Sequence, residues 1–272
     1  HTGRQYRTIN AQSSIVAIMS HSWPPVAYER LSWSSSKEEL AYRSAIPSVI
    51  AARPVDLSRE VLLELEEASQ ELVRFDTRHA GRPFESLLLM SEAVASSQIE
   101  NIFSSARSVA AAALGQGGDV EASLVAGNVR SLQVACGLVG GLDEAAIVEM
   151  QSALLGDSYP AAAGGWREQP VWIGGAGVGP HQVDFVPPRA ELVPGAVADL
   201  VEFMARDDLP VLVHAAIAHA QFETIHPFID GNGRTGRALL HAMLRSKGLL
   251  CTRKIPVGFA PPGGIGPLIL TG

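Results

Sequence analysis

From residue 57 to residue 247, apolar side chains recur at intervals of three and four positions in one segment after another. This period aligns them on one face of an α-helix, where they can pack into a shared core. Several segments also begin at a residue type that caps helices, such as Ser58, Asp119 or Asp143. The spacing predicts helices over residues 57–78, 83–97, 104–114, 119–139, 143–155, 189–206, 209–224 and 231–247. We therefore expect an all-α fold built as a helical bundle.

Three stretches depart from this helical pattern. Residues 169–187 hold two β-prone groups on either side of a glycine-rich turn, which predicts a β-hairpin. Residues 1–55 are rich in Ser and Pro and predict an irregular arm that wraps the core, with one short helix over 37–44. Residues 251–272 are rich in Gly and Pro and predict a loose C-terminal tail.

The charge of the chain is moderate and evenly spread. It has 21 Lys and Arg against 28 Asp and Glu, a net charge of −7, and the basic residues are dispersed along the sequence. Without a broad basic surface, we expect no direct nucleic-acid partner and no binding to anionic membranes. Apolar runs such as 209–220 are interrupted well before the roughly 20 residues that a membrane-spanning helix needs. A phosphate ligand would therefore have to be bound locally.

The two cysteines, Cys136 and Cys251, lie in apolar segments far apart in the sequence. This predicts buried thiols in place of a disulfide framework or a CxxC metal site, and it favours a cytoplasmic location. The chain begins with His1, Thr2 and Gly3 and has no apolar signal sequence behind them, so we expect these residues to be a remnant or a truncated beginning.

Residues 226–237, His-Pro-Phe-Ile-Asp-Gly-Asn-Gly-Arg-Thr-Gly-Arg, lie between the last two predicted helices. Gly231 and Gly233 allow the tight turn of an anion-binding loop, and the helix that begins there directs its free N–H groups and positive dipole end outwards. Arg234 and Arg237 are three positions apart, so they share one face of the first helical turn and can hold successive phosphates. The segment therefore predicts a nucleotide phosphate site.

Two further residues of this segment have side chains suited to nucleotide chemistry. Asp230 precedes the loop and offers carboxylate oxygens to Mg²⁺, which needs only one or two protein oxygens beside phosphates and waters. His226 is a candidate general base, because imidazole ordinarily titrates near neutrality and an attacking hydroxyl must lose its proton.

The segment resembles the Fic signature, His-x-Phe-x-Asp/Glu-Gly-Asn-Gly-Arg-x-x-Arg, with every fixed position filled. The resemblance implies an enzyme that transfers AMP to a Tyr, Thr or Ser hydroxyl of a protein target, which can be the enzyme itself. ATP is then a substrate and Mg²⁺ a cofactor. By the same resemblance, His226 deprotonates the target hydroxyl, Asp230 holds Mg²⁺ and Phe228 anchors the loop. The nucleotide-binding residues that it implies are Gly231, Asn232, Gly233, Arg234 and Arg237.

Residues 96–101, Ser-Ser-Gln-Ile-Glu-Asn, resemble the inhibitory motif of the family, Ser/Thr-x-x-x-Glu-Gly/Asn. Their position before the Fic signature resembles the class whose inhibitory helix lies on the N-terminal side, with Ser96, Glu100 and Asn101 as inhibitory residues. The resemblance implies that Glu100 pairs with Arg237 and keeps this arginine from the γ-phosphate. It also allows Glu100 to orient a water that removes AMP, and the sequence leaves both roles open.

Fic proteins place a β-hairpin flap beside the active site, and the predicted hairpin at 169–187 fits that position. The resemblance implies that a segment of the target docks there as an added strand. The candidate docking residues are Trp172, Ile173, Val183, Asp184 and Phe185. The chain then divides into an N-terminal arm and helical region (1–82), a Fic core (83–250) with its inhibitory helix (83–101), and the tail (251–272).

Other functions remain open to a chain with this signature. A phosphotransferase relative has Lys at the position of Gly233, so the glycine favours AMP transfer. A nucleotide-sensing or toxin-regulating module with little transferase activity would lack the base or an arginine, and both are present. A different nucleotide or a phosphocholine donor, a homodimer, and the identity of the target are also left open by the sequence.

Overall fold

The computed structural model describes residues 26–34, 39–79, 85–138, 141–175 and 179–250. Within these residues the chain forms eight α-helices, two 3₁₀ turns and one two-stranded antiparallel sheet. The helices are α1 (Arg59–His79), α2 (Glu85–Ile99), α3 (Ala106–Ala113), α4 (Val120–Gly137), α5 (Glu144–Leu155), α6 (Val193–Ala205), α7 (Val211–Ile225) and α8 (Asn232–Ser246). Each of the eight helices predicted between residues 57 and 247 is present within a few residues of its expected bounds. The prediction of a mostly helical fold is confirmed.

The starts of α4 and α5 follow from their capping side chains. The carboxylate of Asp119 accepts the backbone N–H of Ala122 at 2.7 Å, and that of Asp143 accepts the N–H of Ala146 at 2.8 Å. Each bond satisfies one of the free donors of a first helical turn. The two caps expected from the sequence therefore define where these helices begin.

The core lies beneath the connection between α7 and α8. α4 packs against α2, α3, α5 and α8, while α7 packs against α6 and α8. Burial of one large apolar side chain contributes about 1.5–3 kcal/mol, so this core is the main source of stability. The largest fully buried side chains include Ile147, Met150, Leu154, Leu200, Phe203, Phe222, Ile225, Phe228 and Leu239.

Residues 27–46 differ from the prediction of an irregular arm. Two strands, β1 (Ala27–Ser34) and β2 (Glu39–Ile46), form an antiparallel hairpin with Ala27 opposite Ile46 and Ser34 opposite Glu39. The short helix expected over 37–44 is wrong for the part that is described, because residues 39–44 belong to β2; residues 37 and 38 lie outside it.

Contacts distant in sequence explain why this segment is a strand. The guanidinium of Arg43 lies 4.4 Å from the centre of the Tyr28 ring on the other strand. The N–H of Ala45 donates to the carbonyl of Val186 at 3.0 Å. Strand formation depends on such cross-strand and tertiary partners more than on local propensity, so the helical preference of the residues near Glu39 is overridden.

The hairpin predicted at 169–187 is reduced to a single bridge between Ile173 and Phe185. These residues exchange backbone hydrogen bonds of 2.9 and 3.2 Å. The structure describes residues 169–175 and 179–187 of this segment, and these residues form no ladder beyond the single bridge. Pro170 and Pro187 have no N–H to donate, which limits how far pairing can extend.

A few expectations concern the periphery of the fold. The predicted tail 251–272, with Cys251, and the first-turn residue Pro83 lie outside the described residues. Cys136, on α4, is buried, as expected for a thiol in an apolar segment. Among the helices that the structure describes, none is long and apolar enough to cross a bilayer.

Candidate active site

The loop between α7 and α8 is fixed from inside by Phe228 and Asn232. Phe228 is fully buried, with its ring centre 5.0 Å from that of Trp166. The side-chain amide of Asn232 donates to the carbonyl of Phe228 and accepts its N–H, both at 2.9 Å. The loop is therefore a closed turn attached to the first residue of α8. The expected anchor role of Phe228 agrees with this geometry.

Asn232, expected among the nucleotide-binding residues, uses its side chain to hold the loop. It is 3% exposed, and both polar atoms of its side chain are bonded to Phe228. Its backbone N–H and those of Gly233 and Arg234 belong to the first turn of α8, where N–H groups have no acceptor within the helix. Gly231 precedes them as the N-cap, with a φ of 82° and no capping side chain. The backbone, not the Asn232 side chain, is thus available to an anion.

One cavity of about 280 Å³ lies at the N-terminus of α8. It brings together the predicted base, the predicted metal ligand and the anion-binding turn, which the sequence places within nine residues. The residues that line it are Glu100, Ile102, Leu124, His226, Ile229, Asp230, Gly231, Asn232, Gly233 and Arg234. His226, Asp230 and the first turn of α8 therefore share one cavity, as a single nucleotide site requires.

His226 ends α7 in the left-handed conformation, with φ 49° and ψ 61°, which residues other than glycine rarely adopt. Arg167 donates to its carbonyl at 2.8 Å and so supports this conformation. Burial, together with the nearby positive charge of Arg167, lowers the pKa of His226 to about 4. The imidazole is therefore uncharged at neutral pH and can accept a proton.

Arg167 was not among the site residues expected from the sequence. It is 2% exposed, and burial lowers its pKa to about 10, so it stays charged at neutral pH. The carbonyls that accept hydrogen bonds from its guanidinium belong to the flap border and to the end of α7, so Arg167 joins the flap to the loop that carries the base. The available signal was its position next to Trp166 at the border of the predicted flap. Its guanidinium donates to the carbonyls of Gln169, Pro188, Ile225 and His226.

Asp230 lies at the edge of the cavity with its side chain 51% exposed. Its Oδ1 accepts the N–H of Gly231 at 2.6 Å and lies 3.9 Å from Nη2 of Arg234. This leaves Oδ2 for a ligand. One carboxylate oxygen beside an anion site fits Mg²⁺, which completes its six ligands with phosphate oxygens and waters. No group of three or more His, Cys, Asp or Glu suited to a metal occurs among the described residues, so this site would depend on a bound nucleotide.

Arg234 is buried with unused donors. It is 4% exposed, and its Nε and Nη1 atoms are sealed from solvent without a hydrogen-bond partner. Burial lowers its pKa, but the nearby carboxylate of Asp230 opposes that shift. A buried donor without an acceptor costs about 1–3 kcal/mol. An anionic ligand in the cavity would supply the acceptors that Arg234 lacks.

The C-terminal end of α2 contacts α8 through Arg237. Its Nε donates to Oγ of Ser96 at 2.7 Å, and its Nη2 donates to the carbonyl of Ser96 at 2.8 Å and to Oε1 of Glu100 at 3.0 Å. Asn101, with a φ of 59°, turns the chain away after the helix. A Cβ at Gly233 would lie 2.2 Å from Oε1 of Glu100. The carboxylate thus pairs with Arg237 and covers the first turn of α8 at once.

The candidate docking residues lie apart from the cavity. Trp172 packs edge-to-face on Trp33 of β1, with ring centres 5.0 Å apart. Ile173 and Phe185 form the bridge, Val183 is partly buried and Asp184 is exposed. No residue of the described flap lines the 280 Å³ cavity. The flap is therefore a separate surface, supported by the N-terminal hairpin.

Together, these features define a helical protein with an anion-binding turn at the start of its last helix and an uncharged imidazole at the end of the helix before it. Residues 141–244 match the model of the Fic/DOC family. That part of the chain therefore resembles a Fic/DOC domain.

Relatives with assigned names match about a third of the chain. The protein adenylyltransferase fic-1 of Caenorhabditis briggsae is 34% identical over 105 residues, which is 38% of this chain and 19% of that protein. The probable protein adenylyltransferase aq_aa38 of Aquifex aeolicus is 39% identical over 87 residues, or 32% of this chain and 25% of that protein. The chain thus spans about a fifth to a quarter of the length of the curated relatives that it matches.

Solved structures with the same fold extend over more of the chain. A Fic family protein from Desulfovibrio desulfuricans has a TM-score of 0.60 at 24% identity and covers 75% of this chain and 63% of its own. Fic-1 from C. elegans has a TM-score of 0.54 at 23% identity and covers 70% and 58%. At these identities the likeness is one of fold, and the predicted Fic-type bundle is confirmed.

Proposed function

We propose that this chain transfers AMP from Mg-ATP to a Tyr, Thr or Ser hydroxyl of a protein. The observation that carries the proposal is the single cavity that holds His226, Asp230, Arg234 and the N-terminus of α8. The chain is similar to relatives named protein adenylyltransferase, which supports the same class of reaction.

In this proposal the phosphates of ATP bind at the start of α8. The free N–H groups of residues 232–234 and the unpaired donors of Arg234 supply hydrogen bonds to them. Asp230 holds Mg²⁺ through its outer carboxylate oxygen, and the ion, when bound, offsets the negative charge of the phosphates. The buried donors of Arg234 then gain the acceptors that they lack.

His226 takes the proton of the target hydroxyl. Its neutral imidazole accepts this proton while the hydroxyl oxygen forms a bond to the α-phosphorus of ATP. The bond from the α-phosphorus to the oxygen that bridges to the β-phosphorus breaks, and pyrophosphate leaves with that electron pair. AMP stays on the target side chain. Positioning and charge stabilisation by the surrounding donors contribute most of the rate.

The arrangement at Arg237 supports an inhibited state. Its Nε and Nη2 donors are committed to Ser96 and Glu100, so the guanidinium is not available to a γ-phosphate. The carboxylate of Glu100 also lies against Gly233, where it repels an anion that approaches the first turn of α8. Withdrawal of the last turn of α2 would remove both obstacles.

The proposed partner is a protein that docks on the flap. In an antiparallel pair, the residues next to a hydrogen-bonded pair direct their N–H and C=O groups to the opposite edge. Since Ile173 pairs with Phe185, the backbone of Trp172 faces the outer edge, where a target strand can add. The widely spaced cysteines favour a reducing compartment, so we place the enzyme in the cytoplasm.

Labelled ATP tests this function. We expect Glu100→Gly to incorporate label from α-labelled ATP into itself or added lysate proteins at least about tenfold faster than the parent. Tenfold corresponds to removal of a block of ~1.4 kcal/mol. We expect no label from γ-labelled ATP, because the γ-phosphate leaves with pyrophosphate. Asp56→Gly, which removes an exposed loop carboxylate far from α8 in sequence, should behave like the parent.

The alternatives give different results in the same assay. Protein labelled from γ-labelled ATP would indicate phosphotransfer. ATP binding without protein label from either nucleotide would indicate a sensing module. Equal α-label in the parent and in Glu100→Gly would refute the inhibitory role of Glu100 while leaving the transferase intact.

A further inference from the structure

Glu223 lies one helical turn before His226 on α7, and neither the signature nor the proposed mechanism uses it. Its Oε2 atom is 3.8 Å from Nδ1 of His226, and the two side chains are 26% and 19% exposed. Residues three positions apart share one face of a helix, so this proximity follows from the sequence spacing. Within the described residues, Glu223 supplies the one carboxylate that lies within 4 Å of the His226 ring.

Both side chains have polar atoms without a partner. Nδ1 of His226 and Oε1 of Glu223 are sealed from solvent and make no hydrogen bond. The backbone carbonyl of Glu223 also faces the ring, and it acts to raise the pKa of His226. Both acceptors near Nδ1 therefore belong to one residue, and Nε2 is the nitrogen left for the cavity. Catalytic hydrogen bonds are often long before the substrate binds, so 3.8 Å is within reach of a direct bond.

The position of the Glu223 side chain depends on the lack of a side chain at residue 236. A Cβ at Gly236 would lie 2.4 Å from Oε1 of Glu223 and 3.2 Å from the His219 ring. The carboxylate is thus enclosed between α7 and α8. The glycine, which the signature leaves unspecified, provides the space for it.

The charges around this pair come from several elements. Glu223 is influenced by Arg237 on α8 and by Glu100 just after α2, and His226 by Arg167 and Asp230. Burial raises the pKa of Glu223 to about 7, Arg237 opposes this shift and Glu100 adds to it. At 3.8 Å the carboxylate of Glu223 and the imidazole of His226 are close enough for a proton held by one to affect the other.

We propose that Glu223 is a positioning residue for the base: its carboxylate faces Nδ1 of His226, directs Nε2 toward the cavity, and stabilises the imidazolium formed when His226 takes the hydroxyl proton. The inference rests on the proposed transferase function. It assigns a role to a residue outside the signature. The base is competent when Glu223 is ionised and His226 is neutral with its single ring proton on Nδ1, because a further proton either occupies Nε2 or removes the charge that stabilises the imidazolium.

Two variants of Glu223 test this in the Glu100→Gly background. Glu223→Met keeps the length of the side chain without an acceptor, and Glu223→Gln keeps its shape without the charge. We expect the kcat for α-label transfer to fall about 10- to 100-fold in both, the lower part of the range for general-base catalysis. The KM for ATP should change less than about twofold, because Glu223 is placed against the imidazole and not against the phosphates.

The pH dependence separates a positioning role from a structural one. In the Glu100→Gly parent, kcat should fall as the pH decreases through the pKa of Glu223. This pKa is about 7 in the unaltered protein and should be lower in the variant, because Glu100 no longer raises it. Glu223→Gln should lack this acid limb and decline only near the pKa of His226, about 4. An acid limb that persists unchanged in Glu223→Gln would overturn the proposal, even if Glu223→Met fails to fold.

A titration that needs no turnover keeps this inference separate from the transferase. Ring signals of His226, assigned by their loss in His226→Ala, should respond to pH near 7 in the otherwise unaltered protein and lose that response in Glu223→Gln. Glu202→Gln, an exposed carboxylate on α6, should match the parent. Identical His226 titrations in parent and Glu223→Gln would refute the pairing. Absence of label in Glu100→Gly with a normal titration would refute the transferase alone.

Discussion

The loop between α7 and α8 lines the cavity of the proposed site, whereas the flap lies apart from it, and the two segments are held differently. The loop is buried and bonded internally, through Asn232 to Phe228 and through Arg167 to His226. The described part of the flap has one internal backbone bridge and is otherwise held from outside, by the Trp33 ring, the N–H of Ala45 and the guanidinium of Arg167. Rigid segments can hold catalytic groups in a precise geometry, whereas weakly held segments can adapt to a binding partner. Under the proposed function, the loop would perform the reaction and the flap would bind the target.

The largest effect should come from removing the base from the loop. In the Glu100→Gly background, His226→Ala should reduce α-label transfer by about 10²–10⁴-fold, the range for general-base catalysis. Binding of ATP should be retained, because the start of α8 is unaltered. Transfer and binding are measured on the same preparation, with circular dichroism as the check on folding. Undiminished labelling would exclude His226 as the base.

A smaller effect should follow from loosening the loop without touching the base. Asn232→Ala removes two buried hydrogen bonds and leaves the backbone N–H and carbonyl of Phe228 unpaired. We expect a loss of about 2–3 kcal/mol in the free energy of unfolding, measured by urea denaturation, and slower transfer.

The matched control lies on the flap. Gln182→Ala removes an exposed amide, and its free energy of unfolding should stay within about 0.5 kcal/mol of the parent. Equal losses in the two variants would contradict the contrast between a rigid loop and a weakly held flap.

The smallest effect should come from the support of the flap. Trp33→Ala removes the edge-to-face contact with Trp172, which contributes about 0.5–1.5 kcal/mol beyond its buried area. Hydrogen exchange at the amides of Ile173 and Phe185 should become faster, while ATP affinity stays the same. Tyr159→Ala, an exposed aromatic residue elsewhere, should change neither. A loss of ATP affinity in Trp33→Ala would show that flap and loop are coupled.

Features encoded by neighbouring residues could be predicted from the sequence. The caps Asp119 and Asp143 lie next to the helices that they start, and the spacing of apolar residues reports helix faces directly. Residues 226–237 are also a local pattern, so the grouping of His226, Asp230 and Arg234 around one cavity could be anticipated.

Features set by distant partners could not be predicted. β2 depends on a bond between Ala45 and Val186, and the acceptors of Arg167 lie on segments that meet only in the folded chain. The hydrogen bonds between the Asn232 side chain and the Phe228 backbone depend on the closed geometry of the loop, which the spacing of residues alone does not reveal. Local propensity therefore gave a helix where tertiary contacts produce a strand.

The contact of Glu100 with Gly233 also bears on how the proposed enzyme would respond to its surroundings. In the proposed inhibited state, Glu100 would be a tethered competitor of the nucleotide, and its effective concentration at the start of α8 would be set by the packing of α2 and not by conditions in the cell. A rise in free nucleotide can displace it only by exceeding that concentration. An event that unwinds the end of α2 lowers the effective concentration of Glu100 directly. A partner that contacts this helix end would therefore regulate the proposed enzyme.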